Sequence, residues 1–174
     1  MNRDRTNDLT ASLPALLRFA RSLTRDPTAA DDLVQDAVVR ALERDGRFDS
    51  NRSYQSWLLA LTHNLFIDGW RRQRVRDRHR VEVADAAFDR VEPSQEQSAM
   101  LNEVLRAFEA LSTEQRAVMH LVVIEGASYA EAADILNVPV GTVMSRLSRA
   151  RQGLKVPPQP VSKAHVRLVS DRDA

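Results

Sequence analysis

Three observations predict that this chain is all-α, with two small helical domains joined by a flexible acidic linker. Apolar residues recur at helical spacing along most of the 174 residues. The chain has only five glycines and little alternation of β-branched residues, which argues against an all-β fold. Residues 81–97 lose part of that spacing, gain acidic side chains and contain Pro93. Helical spacing then resumes and ends in a helix-turn-helix pattern. The sequence therefore predicts two helical modules, the second of them a helix-turn-helix domain.

Charge is unevenly placed along the chain, although the formal net charge is +1. Residues 71–80 hold six arginines and one aspartate, and residues 141–155 hold four cations and no acid. Residues 81–114 hold eight acids and two arginines. Two basic blocks around an acidic one suit two contacts with a polyanion such as nucleic acid, and they also suit solvated helix ends.

Composition also bounds where the protein works. The chain has no cysteine, which excludes a disulfide framework and a thiolate metal site and suits a reducing compartment. The polar start "MNRDRTNDLT" has no signal-peptide pattern, and no apolar run approaches membrane-spanning length. We expect a cytoplasmic protein without membrane insertion.

The first predicted helix spans about 11–24, with Pro14 tolerated in its first turn. Its buried side is predicted to hold Leu13, Leu16, Leu17, Ala20 and Leu23.

A second helix, about 29–44, is predicted to begin behind a Thr28 cap. Its predicted buried residues are Leu33, Val34, Ala37, Val38, Ala41 and Leu42. Its outward residues are Asp32, Gln35, Asp36, Val39 and Glu43. An acidic face in a basic half suits a protein partner with a basic patch, and a merely solvated face is the alternative.

A turn-rich loop at 44–53 precedes a third helix, which Ser53 caps and which runs to about residue 76. Its apolar stripes contain Leu58, Leu61 and Leu65, then Leu59, Phe66 and Trp70. Trp57, Asn64, Asp68 and Arg71 share a further side. An aromatic ring, an amide and arginines on one surface are the groups that single-stranded DNA requires. The alternative is that Trp57 belongs to the core and that Asn64 and Asp68 pair with neighbouring arginines.

The second module begins with a helix from about residue 98 that is predicted to bury Leu101, Val104, Leu105, Phe108 and Leu111. Ser112 with Gln115, and Ser128 with Glu131, are capping-box patterns for the next two helices, and Gly126 ends the first of these.

The turn "NVP" leads into a last helix, whose predicted buried side holds Val143, Leu147, Ala150 and Leu154. Its other side holds Met144, Ser145, Ser148, Arg149 and Gln152. In a helix-turn-helix the second helix enters the major groove, so this helix is predicted to read DNA. The prolines after residue 156 end the helix and predict a poorly ordered tail.

The pattern does not support an enzyme. The four histidines, His63, His79, His120 and His165, lack metal-ligand spacing, and the sequence has no phosphate-cradling glycine loop. We therefore expect no catalytic residue, cofactor or metal. An autonomous DNA-binding regulator is the main rival, although it leaves the Trp57–Arg71 surface and the acidic second helix unexplained.

Three segments carry a family resemblance: "DDLVQDAVVRALE" at 31–43, "SWLLALTHNLFIDGWRR" at 56–72 and "SYAEAADILNVPVGTVMSRLSRAR" at 128–151. In order and spacing they closely resemble bacterial extracytoplasmic-function (ECF) sigma factors, over about residues 11–155. The resemblance implies a region 2-like domain at 1–80, a linker at 81–97, a region 4-like domain at 98–155 and a tail at 156–174.

The resemblance also implies partners and roles. Asp32, Gln35, Asp36, Val39 and Glu43 would dock on the β′ clamp helices of core RNA polymerase, and the second domain would rest on the β-flap. Promoter DNA would be read at two places, and an anti-sigma factor would hold the protein inactive. The implied −10 residues are Phe48, Asp49, Ser50, Asn51, Trp57, Asn64, Asp68, Arg71 and Arg72. The implied −35 residues are Thr142, Met144, Ser145, Arg146, Ser148 and Arg149. Met144 and Ser148 depart from the longer or basic side chains of many members, and a methionine cannot donate a hydrogen bond to guanine.

Overall fold

The computed structural model describes residues 3–44, 48–49, 53–77 and 105–154, and in these residues it contains helices and no strand. The α-helices are α1 (Arg3–Thr24), α2 (Pro27–Glu43), α3 (Tyr54–Asp77), α4 (Thr113–Met119), α5 (Tyr129–Leu136) and α6 (Val140–Gly153). A π-helical turn, His120–Ile124, continues α4, and residues 105–109 are also helical. The all-α prediction is confirmed. We call residues 3–77 the N-terminal unit and residues 105–154 the C-terminal unit. The predicted linker and tail lie outside the described residues.

Helix α1 begins eight residues earlier than predicted, so Pro14 lies inside the helix and not in its first turn. The apolar stripe extends back to Leu9, which is buried, and burying it favours the additional turns. Leu13, predicted to be buried, is exposed, whereas Phe19 is completely buried. Proline inside a helix removes one hydrogen bond, and tertiary packing of α1 compensates for that loss.

Helix α2 is capped by Asp26 and not by Thr28. The Asp26 carboxylate accepts a hydrogen bond of 2.6 Å from the Ala29 amide, and Pro27 occupies the first turn. Proline has a fixed φ that suits the first helical position, so the cap falls on the residue before it. Leu42, predicted to be buried, is exposed. The fully buried alanines Ala30, Ala37 and Ala41 form the inner side of the helix.

The C-terminal unit has both predicted capping boxes, at Ser112 with Gln115 and at Ser128 with Glu131. Gly126, at φ 69°, and Asn137, at φ 52°, take the left-handed conformation and end the π-helical turn and α5. Helices α5 and α6 therefore form the predicted helix-turn-helix. Leu105 is exposed and not buried as predicted, and Leu101 and Val104 lie outside the described residues.

The hydrophobic core crosses between the two units. One cluster joins Phe19, Leu23 and Leu59 of the N-terminal unit to residues such as Leu121 and Leu147 of the C-terminal unit. A second cluster lies within the N-terminal unit and contains Leu9, Leu16, Ala41, Tyr54, Leu58 and Leu61. The units are thus packed together through fully buried apolar side chains.

Helices among the described residues are too short or too polar to cross a membrane.

Candidate nucleic-acid interface

Three aromatic rings meet at the start of α3. The Phe48 ring lies edge-on to Tyr54, with centroids 5.0 Å apart, and Trp57 lies 5.5 Å from each of the other two rings. The Arg5 guanidinium lies 5.5 Å from the centroid of the Phe48 ring. Tyr54, which the sequence interpretation did not single out, is buried and joins the loop to the helix. Its position one turn before Trp57 was the available signal.

Trp57 is partly buried and packs against the core of the N-terminal unit, so the core alternative holds for part of its ring. The remaining described residues of this side, Asn64, Asp68, Arg71 and Arg72, are exposed. Arg72 Nε donates to the main-chain oxygen of Asp68 at 3.2 Å. Asp49 is exposed beside Phe48, whereas Ser50 and Asn51 lie outside the described residues. One helix therefore presents an aromatic edge, an amide and two guanidinium groups along one side.

All five predicted outward residues of α2 are exposed: Asp32, Gln35, Asp36, Val39 and Glu43. Leu42 is exposed one turn after Val39, which the sequence interpretation missed although the spacing is visible. Glu43 pairs with Arg40 at 3.3 Å, a solvent-exposed contact that contributes little to stability. The face is an apolar pair surrounded by carboxylates.

Helix α6 divides its two sides as predicted. Val143, Leu147 and Ala150 are buried, and Leu154, just after the helix, is partly buried. The opposite side exposes Met144, Ser145, Ser148, Arg149 and Gln152. Among the other residues implied in −35 recognition, Thr142 and Arg146 are partly exposed, and Arg146 lies 3.9 Å from the Glu114 carboxylate. The helix thus presents small polar groups near its start and arginines further along.

Two histidines lie in the interior. Burial, and secondarily the positive charge of Arg146, lower the pKa of His63 to about 4. His120 is buried against the Phe19 ring and bonds to Glu125, and its pKa is lowered chiefly by burial. Both imidazoles are neutral at pH 7. His120 therefore belongs to the core, and the described residues contain no group of side chains arranged to hold a metal ion.

Two family descriptions match this chain. Residues 9–76 match Sigma-70 region 2, and residues 101–154 match Sigma-70, region 4. Over 151 residues the chain is 35% identical to the ECF RNA polymerase sigma factor EcfG of Rhodopseudomonas palustris, covering 85% of this chain and 81% of that protein. It is 34% identical over 145 residues to the ECF RNA polymerase sigma factor SigC of Mycobacterium tuberculosis, covering 82% and 77%.

Solved structures agree with these matches. The sigma factor RpoE, in a complex with the anti-sigma factor NepR from Bartonella quintana, superposes with a TM-score of 0.74 at 33% identity. That superposition covers 88% of this chain and 96% of the other. CnrH, in a complex with the cytosolic domain of CnrY, superposes with a TM-score of 0.61 at 29% identity, covering 88% and 87%.

Proposed function

Since this chain belongs to the ECF RNA polymerase sigma factors, which direct transcription initiation, we propose that its two DNA-facing surfaces divide the work at a promoter. The α3 surface takes the −10 element as an opened strand, and α6 takes the −35 element as duplex. The observation that carries the proposal is the pairing of an aromatic and arginine-bearing side on α3 with a helix-turn-helix whose second helix is exposed.

The −10 assignment rests on what strand opening requires. Unstacking a base costs a few kcal/mol, so a pocket or a stacking surface must offset it. The cluster of Phe48, Tyr54 and Trp57 supplies rigid aromatic edges, and the exposed amide of Asn64 can bond a base edge. Arg71 and Arg72 are placed for phosphates, and Asp68 stands beside them. The proposed −10 loop also includes Asp49, together with Ser50 and Asn51, which lie outside the described residues.

The −35 assignment rests on the exposed side of α6. In a helix-turn-helix, residues near the start of the second helix reach base edges, which here are Thr142, Ser145 and Arg146. Ser148 and Arg149 lie further along, where an arginine can contact a phosphate or a guanine. Met144 is about half exposed and offers an apolar contact, for which a thymine methyl is the suitable partner.

For core RNA polymerase we propose the outward face of α2 as the docking surface on the β′ clamp helices. Val39 and Leu42 form an exposed apolar centre, and the carboxylates of Asp32, Asp36 and Glu43 surround it together with Gln35. Apolar centres with polar rims are typical of protein interfaces, and the acidic rim selects a basic partner. The C-terminal unit would rest on the β-flap.

The same proposal fixes the remaining expectations. The domains would be 1–80 for polymerase and the −10 element and 98–155 for the −35 element, with 81–97 as linker and 156–174 as tail. The protein would act in the cytoplasm, without a cofactor and without breaking a covalent bond. RpoE was solved with the anti-sigma factor NepR, and this complex supports control of the present chain by an anti-sigma factor.

A run-off assay with purified core RNA polymerase tests the function. A promoter-specific transcript that depends on this chain supports the proposal, and absence of such a transcript over a library of promoters contradicts it. A mobility-shift assay without polymerase separates the rival. Tight, specific binding of duplex DNA by the chain alone, with no association with polymerase, would indicate an autonomous regulator.

A further inference from the structure

A cavity of about 540 Å³ lies where the end of α1 and the first half of α2 meet the second half of α3 and the start of α4. Its apolar wall includes Leu33, Phe66 and Trp70, and its polar lining includes Arg25, which follows α1. Sites for small molecules have volumes of about 300–1,000 Å³, with mostly apolar walls and a few polar groups that orient the ligand. The size and lining of this cavity therefore suit a small molecule. Arg25 and Trp70 belong to none of the surfaces proposed for DNA or polymerase.

Arg25 carries an unsatisfied polar group at this cavity. Its Nε atom is buried and has no hydrogen-bond partner within the described residues. No carboxylate of those residues forms a salt bridge with Arg25. A buried N–H group without an acceptor costs free energy, and a guanidinium has donors only. An anionic ligand would supply the acceptor that Arg25 lacks.

The backbone at Arg25 is also unusual. Its φ of 61° is left-handed, a conformation that glycine or asparagine usually takes after a helix. A long side chain at positive φ is unfavourable, and such residues occur where the side chain has a function. The position of Arg25 therefore indicates a use for its guanidinium beyond ending α1.

Arg116 is a second cation in the lining of the cavity. Its guanidinium donates to the main-chain oxygen of Ser22 at 2.8 Å and to that of Leu111, so its hydrogen bonds are satisfied. Burial, and then the charge of Arg25, lower the pKa of Arg116 to about 10, so it is charged at pH 7. Two guanidinium groups of like charge thus lie close together, and an anion beside them would reduce their repulsion.

The charges around the cavity set the charge of a suitable ligand. Its lining contains three guanidinium groups, from Arg25, Arg72 and Arg116, and two carboxylates, from Asp32 and Asp36, which give a formal net charge of +1. One carboxylate on the ligand balances this charge. A second negative group would be repelled by Asp32 and Asp36. The lining therefore favours a monoanion over a phosphate ester or a dicarboxylate.

Helix α3 gives the cavity an aromatic wall. Phe66 and Trp70 line it, and Gly69 lies between them in the interior of the helix. A Cβ atom at Gly69 would have no neighbour within 4 Å in the described structure, and Gly69 is not among the residues at positive φ. Neither packing nor backbone conformation in the described structure thus requires a glycine, which weakens a helix. The missing side chain leaves space beside two aromatic rings, where a flat apolar group can pack.

We propose that this cavity binds a small aromatic monocarboxylate, whose carboxylate bonds to Arg25 and whose ring lies against Phe66 and Trp70. Arg116 contributes charge, and Asp32 and Asp36 select against further negative groups. An acidic peptide of a partner protein is the alternative occupant, and its several carboxylates fit the lining less well. The site concerns this chain alone, and it stands or falls independently of the promoter function.

Phenylacetate is the probe for the first experiment, with the full chain at pH 7. Calorimetric titration is expected to show saturable binding, and the fluorescence of Trp70 should change with it. 2-Phenylethanol has the same ring without the charge, and phenylmalonate has a second carboxylate. Each is expected to bind at least about tenfold more weakly, as loss of a charged hydrogen bond or added repulsion predicts. Absence of saturable binding, or equal binding of phenylacetate and 2-phenylethanol, would overturn the proposal.

Arg25→Gln tests the anchor. The variant removes the charge and keeps a side chain of similar length, so the backbone cost at positive φ is similar. Its affinity for phenylacetate is expected to fall about tenfold. Arg21→Gln is the matched control, because Arg21 is an exposed arginine on α1 outside the cavity lining, and it should leave the affinity unchanged. An unchanged affinity in Arg25→Gln rejects Arg25 as the anchor and with it the site.

Gly69→Leu tests the location without weakening the fold. Leucine favours a helix over glycine, so the variant should unfold at the same or a higher denaturant concentration. Its side chain should fill part of the space beside Phe66 and Trp70 and reduce phenylacetate affinity by about tenfold. Gly69→Ala adds one methyl group and is the size control, with an affinity near that of the native chain. Native affinity in Gly69→Leu would place the ligand elsewhere and overturn the proposal.

A peptide titration separates the two occupants. An acidic peptide that contains one phenylalanine is expected to bind more weakly than phenylacetate, because its additional carboxylates meet Asp32 and Asp36. Tighter binding of this peptide, lost in Arg25→Gln, would assign the cavity to a protein partner and reject the small-molecule assignment.

Discussion

The Arg18 guanidinium lies 2.8 Å from the Glu125 carboxylate, although the two residues are 107 positions apart in the chain. Arg18 is about half exposed, while Glu125 is almost fully buried. The pair is therefore asymmetric, because one partner keeps much of its hydration and the other depends on its donors. Loss of the donors costs more than loss of a surface ion pair.

The Glu125 carboxylate accepts hydrogen bonds from the side chains of Arg18, Gln55 and His120. Glu125→Gln is expected to lower the free energy of unfolding by about 1–3 kcal/mol, because the buried amide cannot accept from all three donors as the carboxylate does. Denaturant unfolding followed by circular dichroism measures the change. Glu114→Gln is the control, since Glu114 is largely exposed and its contact with Arg146 is long, and it should change stability by less than about 0.5 kcal/mol. Equal effects of the two variants would contradict the importance of the Glu125 contacts.

Acid should destabilise the protein through its histidines. The pKa of His63 is lowered from 6.5 to about 4, so between these values the unfolded chain binds more protons than the folded one. The stabilisation from the neutral His63 ring is fully present above the unfolded pKa. The free energy of unfolding then falls as the pH drops through this window, by about 1–3 kcal/mol for this residue. His120 contributes in the same direction, since its pKa is also lowered.

Unfolding midpoints in urea between pH 7.5 and 4.5 check this dependence. His63→Gln removes one titrating group. The free energy of unfolding of this variant should therefore fall less steeply with decreasing pH than that of the native chain. Its Nδ1 atom is buried without a hydrogen-bond partner in the described part of the chain, which fits a neutral ring. A variant profile parallel to that of the native chain would show that His63 does not titrate in this window.

Local signals predicted the C-terminal unit well. The capping boxes at Ser112 and Ser128 act within one turn, and both are present as predicted. The two sides of α6 follow from spacing alone, and they agree with the structure. The assigned DNA and polymerase roles remain predictions, because exposure of a side chain does not identify what it binds.

Sequence patterns failed where distant packing decides. Leu13, Leu42 and Leu105 have apolar side chains at helical spacing, yet they are exposed, since no element within the described ranges of the chain covers that side of the helix. Arg116 donates to the main-chain oxygen of Ser22, and Glu125 accepts from Arg18. Each pair lies about a hundred positions apart in the chain, and no periodicity in the sequence encodes such contacts. The π-helical turn at His120–Ile124 also has no signal in the sequence interpretation.

Phe19→Ala is expected to cost about 3–5 kcal/mol, because its fully buried ring packs in the cluster that joins the two units. Leu13→Ala on the same helix is the control, and it should cost well under half of that amount, since Leu13 is exposed. Chemical denaturation of both variants makes the comparison. A larger loss of stability in Leu13→Ala than in Phe19→Ala would indicate that Leu13 is buried, as its spacing in the sequence predicted.

Arg149→Ala is expected to weaken binding of the polymerase holoenzyme to promoter DNA by about 1–3 kcal/mol, since an exposed guanidinium on α6 would lose a base or phosphate contact. If the contact is to a phosphate, the dependence of log affinity on log salt falls by about 1. Gln152→Ala, one turn further on the same exposed side, is the control. An unchanged −35 footprint would remove Arg149 from the reading surface.

Asn64→Ala separates strand opening from duplex binding. Asn64 is exposed on the α3 side that holds Trp57, and an amide there bonds a base edge only after the base has left the duplex. The variant should therefore reduce open-complex formation, measured by permanganate reactivity of thymines at −10, several-fold more than it reduces closed-complex affinity at low temperature. Arg149→Ala provides the contrast, because loss of a −35 contact weakens both complexes alike. If Asn64→Ala also lowers both by the same factor, the α3 side acts on duplex DNA, and its role in holding the opened strand is wrong.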